Sequence, residues 1–433
     1  MSLRVAAIDL GASSVRVAVV DLDAELPHLE VVHRILHGPV RRPDGTLRWE
    51  LDRIVDAVHR GLERATAAGP LASVGIDSWG VDYALFDAEG RAVAEPYSYR
   101  DDRTARWREL LEGIGARHLY RRTGIQLLPI TTIFQLAVHD PDELAAASRL
   151  LTMAEAVAHH LVDVDAIERT TAGTTGLVDL ADGDWADDLI AEIGVPRRLF
   201  PPIAAAPVVA GDRGGVPVQL VAGHDTACAF AAAPQAGTDT VVVSSGTWML
   251  VGTHVERPVV DDLAFEANLS NEPAFPSGYR LLRNLAGSWI LEGCRRRWHL
   301  DLGEVLARVE DVTLDGPRFD ATDDRFLNPD DMATEVAKAA ALGDPDDVGE
   351  VAGCVLRSLA HTTAEVVADL AAATGRTFRR LVVVGGGARN SPLNRLLGEA
   401  TGLEVSVGPT EATALGNALV QGVGLGRFAD LAE

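Results

Sequence analysis

At 433 residues the chain is longer than one hydrophobic core usually supports, so two domains are expected, and a formal net charge of −24 argues against nucleic acid or an anionic membrane as a main partner. An anionic small-molecule substrate stays open, because a local pocket can oppose the global sign. Cys228, Cys294 and Cys354 are odd in number and lack metal-ligand spacing, which points to buried thiols and a cytoplasmic, reducing setting; no run has the length of a bilayer span and the N-terminus has no secretory core.

Residues 5–10 form an apolar run that predicts a buried strand ended at Gly11, and 14–21 a second, so DLGASSVRV reads as a hairpin. Its turn is made of small residues, which leave backbone N–H groups uncovered and let a phosphate approach; the same residues also make a plain structural hairpin. Asp9, at the end of a central strand, needs a partner, and a magnesium ion beside a phosphate is one. Apolar spacing predicts a helix over 51–68, ending at Gly69, and then a strand over 72–76. That strand leads into GIDSWGVDY, where Asp77, Trp79, Gly80 and Asp82 crowd a strand end, the place an open α/β sheet binds ligands. A Trp among carboxylates suits a sugar, whose C–H face packs on the ring while its hydroxyls find acceptors; a core Trp with satisfied neighbours is the competing reading.

Residues 84–93 read as a second hairpin turned at 87–90, followed by SYRDDRT, where Arg100 and Asp101 are the site candidates. From 117 to 164 the pattern is mostly helical, broken at Gly124, Pro129 and Pro141; the adjacent His159 and His160 point different ways on a helix and make a poor metal pair. A Thr/Gly loop at 170–176, a short amphipathic helix at 185–193 and a Pro-rich connector at 200–207 follow. In VAGHDTACAF, at 221–230, a buried strand over 216–222 is broken by Gly223 and an Ala-rich helix starts after Thr226. Asp225 therefore stands where strand becomes helix, as a helix cap or as a proton acceptor.

Residues 240–244 then predict a β-branched strand, SSGT at 244–247 a turn and 248–255 a second strand, which repeats the 5–21 hairpin. Two such hairpins, each opening half a chain, imply a duplication with the turns facing across a cleft, an arrangement suited to a nucleoside triphosphate. Beyond 284–289 and Glu292 come a polar stretch to 345 and a long Ala-rich helix over 348–374. RRLVVVGGGARN gives a strand, the loop Gly385, Gly386, Gly387 and a helix from 391, whose bare backbone and dipole favour a nucleotide. A strand over 403–407 leads into TEATALGNALVQG, a helix expected to cover the nucleotide side.

These motifs together resemble the FGGY carbohydrate kinases, members of the actin-like, ribonuclease-H-like ATPases, and within them the rhamnulokinases. The likeness runs through DLGASSVRV, GIDSWGVDYALFD, YRDDRT, GIQLLPITTIFQL, GHDTA, SSGTW, RNLAGSW, DDRFLNPDDM, VVGGGARN and GPTEATALGNALVQG in that order. It implies an α/β fold of two duplicated ribonuclease-H-like domains with a cleft between them, a sugar-binding one over 1–236 and a nucleotide-binding one over 237–433. It implies transfer of the ATP γ-phosphate to the 1-hydroxyl of L-rhamnulose with Mg2+, Asp225 being the base. Gly80, His224, Asp225, Thr226 and Asn284 match sugar-binding positions, and Ala12, Ser13, Ser14, Val15, Arg16, Thr247 and Gly386 nucleotide-binding ones. The residues themselves add Trp79, Asp82 and Arg100 on the sugar side, Gly246, Glu292, Gly385 and Gly387 on the nucleotide side, and Asp9 for the metal. Two positions depart from the rhamnulokinase pattern: Val15 replaces a Gly and narrows the turn, and Glu292 replaces a Gln and sets a carboxylate near a polyanion. Competing expectations are a kinase for L-fuculose or L-ribulose, or an actin-like or heat-shock-type assembly or chaperone ATPase, which would carry a peptide-binding or polymerising extension. The expected partners are a ketose and ATP, with no nucleic acid and no membrane, for a monomer or homodimer.

Overall fold

The computed structural model describes residues 3–24, 27–233 and 237–431. Two six-stranded mixed sheets dominate it. The first contains Arg4–Gly11 (β1), Ser14–Asp21 (β2), His28–Leu36 (β3), Ser73–Ser78 (β4), Val208–Arg213 (β5) and Val216–His224 (β6), in the order β5-β6-β4-β1-β2-β3. The second contains Thr240–Ser245 (β7), Met249–Val255 (β8), Ser270–Pro273 (β9), Tyr279–Leu285 (β10), Arg380–Val384 (β11) and Glu404–Val407 (β12), in the order β9-β10-β8-β7-β11-β12. Each half opens with an antiparallel pair, β1/β2 and β7/β8, and in each the first strand of the pair has a parallel neighbour on its other side, β4 and β11. This shared topology is the duplicated architecture expected from the repeated hairpin. The nominal junction at 236/237 touches residues 234–236, which lie outside the described residues.

The cores follow the apolar periodicities. The helix Leu51–Ala67 turns Leu51, Ile54, Val55, Val58, Leu62 and Ala65 toward the first sheet. The helix Val348–Thr374 buries Val351, Val355, Leu359, Val366 and Leu370 against the second. Cys228, Cys294 and Cys354 are buried free thiols, and no helix among the described residues is long and apolar enough to cross a membrane.

Three expectations need correction. Tyr83–Phe86 turns back at 87–90 as expected, with Val93 N–H on the Leu85 carbonyl and a Phe86–Ala92 bridge, but its longer ladder is with Arg149–Thr152. The partner was hidden because four residues of strand sit inside an otherwise helical pattern. The polar stretch before 345 contains two helices, Leu302–Ala307 and Met332–Ala339, begun by the side chains of Asp301 and Asp331. The final helix, Ala412–Gly424, belongs by sequence to the second half but lies on the first sheet, where Ala414 and Ala418 pack with Val5, Ala7, Ala18 and Val20. It also crosses the helix Asp225–Ala231 so closely that a Cβ on Gly416 would sit 1.8 Å from the Cys228 carbonyl oxygen.

Candidate active site

The β1/β2 turn, the end of β4, the β6-to-helix junction, the β7/β8 turn and the loop after β11 all open on one cavity of about 300 Å3 between the halves. Gly11 pairs with Ser14 in the β1/β2 ladder, so the first turn has only Ala12 and Ser13 at its tip, and both line the cavity with Ser14 and Arg16. Ser244, Ser245, Gly246 and Thr247 line the opposite side, and Gly385 and Gly386 stand beside them. Gly385 has φ +83°, and a Cβ on Gly387 would fall 1.9 Å from Ser245 Oγ. The glycine loop therefore lies directly on the second turn.

Buried acids gather beneath the first turn. Arg16 joins Asp9 at 2.8 Å to Glu411 at 2.9 Å, the latter brought in by the approach to the final helix. Burial pushes the Asp9 carboxyl up to about 6, Arg16 opposes the shift, and Asp225 and Glu411 add to it. Asp77, level with Asp9 on the neighbouring strand, is raised by burial and by Asp9, while the Asn417 amide donates to it at 2.7 Å. Among the described residues no three His, Cys, Asp or Glu side chains cluster as a metal cage. The Oδ1 of Asp9 is nonetheless buried without a hydrogen-bond partner. A hydrated magnesium, which takes one or two carboxylates and completes its shell with water and phosphate, fits that donor set.

Asp225 is the first residue of its helix, with His224 as N-cap, and neither side chain caps the helix. Its carboxylate is partly open to the cavity, accepts from Thr226 Oγ1 at 3.0 Å and lies 3.4 Å from His224 Nε2. Behind the imidazole are Glu272 and Arg280, cross-strand partners in the β9/β10 ladder. Glu272 Oε2 is 3.3 Å from His224 Nδ1 and 3.2 Å from Arg280. Burial acts to raise the Glu272 carboxyl, but Arg280, His224 and Asn284 outweigh it and hold it at about 2. Asn284 donates to Glu272 Oε1 at 3.3 Å and to Gln126 Oε1 at 3.1 Å. Trp79 completes this side, its ring 4.5 Å from that of Trp49, and Gly80 keeps the wall clear, since a Cβ there would meet Thr174 at 3.0 Å.

Several candidates lie elsewhere. Asp82 is buried behind the wall, where Trp49 Nε1, Trp79 Nε1, the Tyr99 amide and Gln135 Nε2 all donate to it. Its oxygens are occupied, so it braces Trp79 and does not meet a ligand, though burial raises its carboxyl to about 6. Arg100 stacks on Trp289 at 3.5 Å and donates to Tyr99 Oη, and Asp101 accepts from the Leu47 and Arg103 amides. The Val15 side chain points into the first core and leaves the turn unobstructed. Glu292 lies outside the cavity lining and is paired with Arg295 at 2.6 Å, so its charge is already compensated. Gly387 serves the contact with Ser245 and does not line the cavity.

Glu272, Arg280, Gln126 and Glu411 were not anticipated. For the first two the available signal was a pair of opposite charges set in otherwise buried strands. For Glu411 nothing local marks the residue, since its partner is 395 positions away.

Residues 4–215 match the model of the FGGY family of carbohydrate kinases, N-terminal domain, and residues 241–425 that of its C-terminal domain. Among solved structures, gluconate kinase from Lactobacillus acidophilus superposes with a TM-score of 0.80 at 15% identity, covering 100% of this chain and 91% of that one. Xylulose kinase from the same organism gives 0.78 at 15% identity, covering 99% and 91%. Plasmodium falciparum glycerol kinase with ADP gives 0.76 at 16%, covering 100% and 91%. At such identities the likeness is one of fold: two α/β domains of the actin-like, ribonuclease-H-like kind.

Proposed function

The chain belongs to the FGGY family of carbohydrate kinases, and from that membership we propose that it transfers the γ-phosphoryl group of ATP to the 1-hydroxyl of L-rhamnulose, yielding L-rhamnulose 1-phosphate and ADP. The choice of sugar rests on the ordered rhamnulokinase-like motifs; the chemistry rests on the cavity. The observation that carries it is Asp225, a carboxylate facing the space between two backbone turns while making no helix-capping bond.

Phosphoryl transfer asks mainly for positioning and charge stabilisation. In this reading the ketose lies against Trp79 and Gly80 with hydroxyls toward Asn284 and His224, and Asp225 takes the proton of the attacking hydroxyl. The triphosphate lies along the backbone of Ala12, Ser13 and Ser14 and of Gly246 and Thr247, with Gly385 and Gly386 alongside. Asp9 would hold magnesium, whose chemistry is to neutralise phosphate charge. Enclosure between the halves keeps water from taking the phosphoryl group.

The test is ADP release over a panel of ketoses. L-Rhamnulose should give the highest kcat/KM. If L-fuculose, L-ribulose or D-xylulose exceeds it tenfold, about 1.4 kcal/mol of transition-state discrimination, the sugar assignment is wrong while the kinase assignment stands.

A further inference from the structure

The Glu272–Arg280 ion pair is buried to 4% and 0% exposure, and fold stability alone does not account for it. A buried ion pair can usually be exchanged for apolar side chains without loss of stability. This one also leaves Arg280 Nη1 buried without a hydrogen-bond partner, an unfinished arrangement for a purely structural pair. Arg280 Nε donates to the Pro273 carbonyl at 3.2 Å, and the pair's other contacts run toward the cavity. Arg280 Nη2 reaches His224 Nδ1 at 3.2 Å, and Glu272 Oε1 receives the Asn284 amide at 3.3 Å.

His224 Nδ1 lies between Arg280 Nη2 at 3.2 Å and Glu272 Oε2 at 3.3 Å. We assign Nδ1 as the acceptor from Arg280, which in a neutral imidazole sets the hydrogen on Nε2, the nitrogen that faces Asp225 Oδ1 at 3.4 Å. The Thr226 hydroxyl donates to the same oxygen at 3.0 Å. Both contacts made by the carboxylate thus fall on Oδ1, which leaves Oδ2 uncommitted in a residue that lines the cavity.

We propose that Glu272 and Arg280 are positioning residues for the phosphoryl transfer. Supplied by β9 and β10 of the second half, they lock His224 so that it holds Oδ1 of Asp225 and leaves Oδ2 to take the sugar proton, while Glu272 also holds Asn284 for a sugar hydroxyl. This rests on the reading of Asp225 as the base. The proton passes from the ketose hydroxyl to Oδ2 as the hydroxyl oxygen bonds to the γ-phosphorus and the bond from phosphorus to the β,γ-bridging oxygen breaks, ADP carrying away the electron pair. His224 gives up no proton. One surface then serves both the acceptor and the base, so sugar recognition and base orientation depend on the same carboxylate.

The experiment uses the full-length enzyme, ATP and the ketose it turns over best. Glu272→Gln retains the shape but not the charge, and Glu272→Leu with Arg280→Met removes both charges and so avoids a lone buried cation. Expected for both is a kcat lower by roughly tenfold to a hundredfold, with a raised KM for the ketose and a KM for ATP within about twofold of wild type. The double variant should melt close to wild type. A double variant that melts like wild type and keeps kcat within about threefold would show the pair to be structural only and overturn the proposal. If that double variant does not fold, Glu272→Gln and Arg280→Lys, assayed where each is fully folded, decide by the same criterion. Asp225→Asn run in parallel separates the two ideas. An active Asp225→Asn enzyme removes the base reading itself, whereas an inactive one beside active Glu272 variants removes only the positioning role.

Discussion

Asp225→Asn changes one atom and, because the Asp225 side chain makes no capping bond, leaves the helix start as it was. Urea melts of the variant should overlay those of wild type, while kcat falls by about 10²–10⁴ with far smaller changes in either KM. A variant with near wild-type kcat would end the base assignment. Glu272 makes a second residue-scale prediction, in pH. Its folded carboxyl sits at about 2 against an ordinary 4.5, so between those values the unfolded chain binds the proton and the folded one does not. The stability it contributes is complete above about pH 4.5 and is lost as pH falls toward 2, amounting to about 3 kcal/mol. Glu272→Gln should flatten that part of the acid limb in urea titrations, and an unchanged limb would refute the ion-pair account. Glu292, expected from its sequence position to repel ATP, is already paired with Arg295; Glu292→Gln should alter the KM for ATP by less than about threefold, as for other exposed pairs. The contrast with Asp82 shows what was legible at this scale. Asp225, His224 and Gly80 stand at breaks between predicted elements, and a break can be seen in a string of letters. Whether Asp82 faces a ligand depends on a Trp49 indole 33 positions away, and no local pattern carries that information.

The elements that could be read were those whose side chains repeat with the period of the backbone. Both hairpins and the helix Val348–Thr374 are of that kind, the latter observed over the span its apolar spacing predicts. Tyr83–Phe86 shows the limit: a four-residue strand has too few alternations to name its partner, and a nearby turn biases the choice toward a hairpin. The helix Leu302–Ala307 escaped for another reason. Its face is largely exposed, yet Asp301 and Glu304 form a capping box that marks its start better than hydrophobicity does. Helix crossings are legible only through glycine. Gly416→Ala would drive a methyl group into the backbone of the helix Asp225–Ala231. A loss of about 1–3 kcal/mol or more is expected from such overpacking, with kcat reduced as well because that helix bears Asp225. A Gly416→Ala protein with wild-type stability and activity would show that the two helices separate readily.

For the whole molecule, the halves meet through apolar packing, with Tyr120 set in the second core against Phe265 and Ala229 and Ala233 against Val242 and Val384, and through polar side-chain bonds. They include Trp248 Nε1 to Tyr99 Oη at 3.1 Å, Asn328 Nδ2 to the Arg100 carbonyl at 3.1 Å and Arg108 to Asp324 at 2.8 Å. Such contacts exchange readily with water, so the two turns should draw together when both ligands bridge them. Small-angle scattering should show a smaller radius of gyration with L-rhamnulose and a non-hydrolysable ATP analogue than without, and an unchanged radius at saturation would disprove closure. The repeated topology was visible in the sequence because both copies begin with the same hairpin; the return of the final helix to the first sheet was not, since its apolar face fits either sheet. That return bears on how the protein is made. Gln421 bonds to the Ala6 carbonyl and to Ser73, and Asn417 bonds to Asp77, spans of 415, 348 and 340 residues. As the chain leaves the ribosome, Val5, Ala7, Ala18 and Val20 emerge long before Ala414 and Ala418, which cover them. Once β6 has emerged and the first sheet can form, it must therefore wait through synthesis of the second half with one apolar side exposed, an interval of vulnerability to aggregation that a chaperone able to hold nascent chains would shorten.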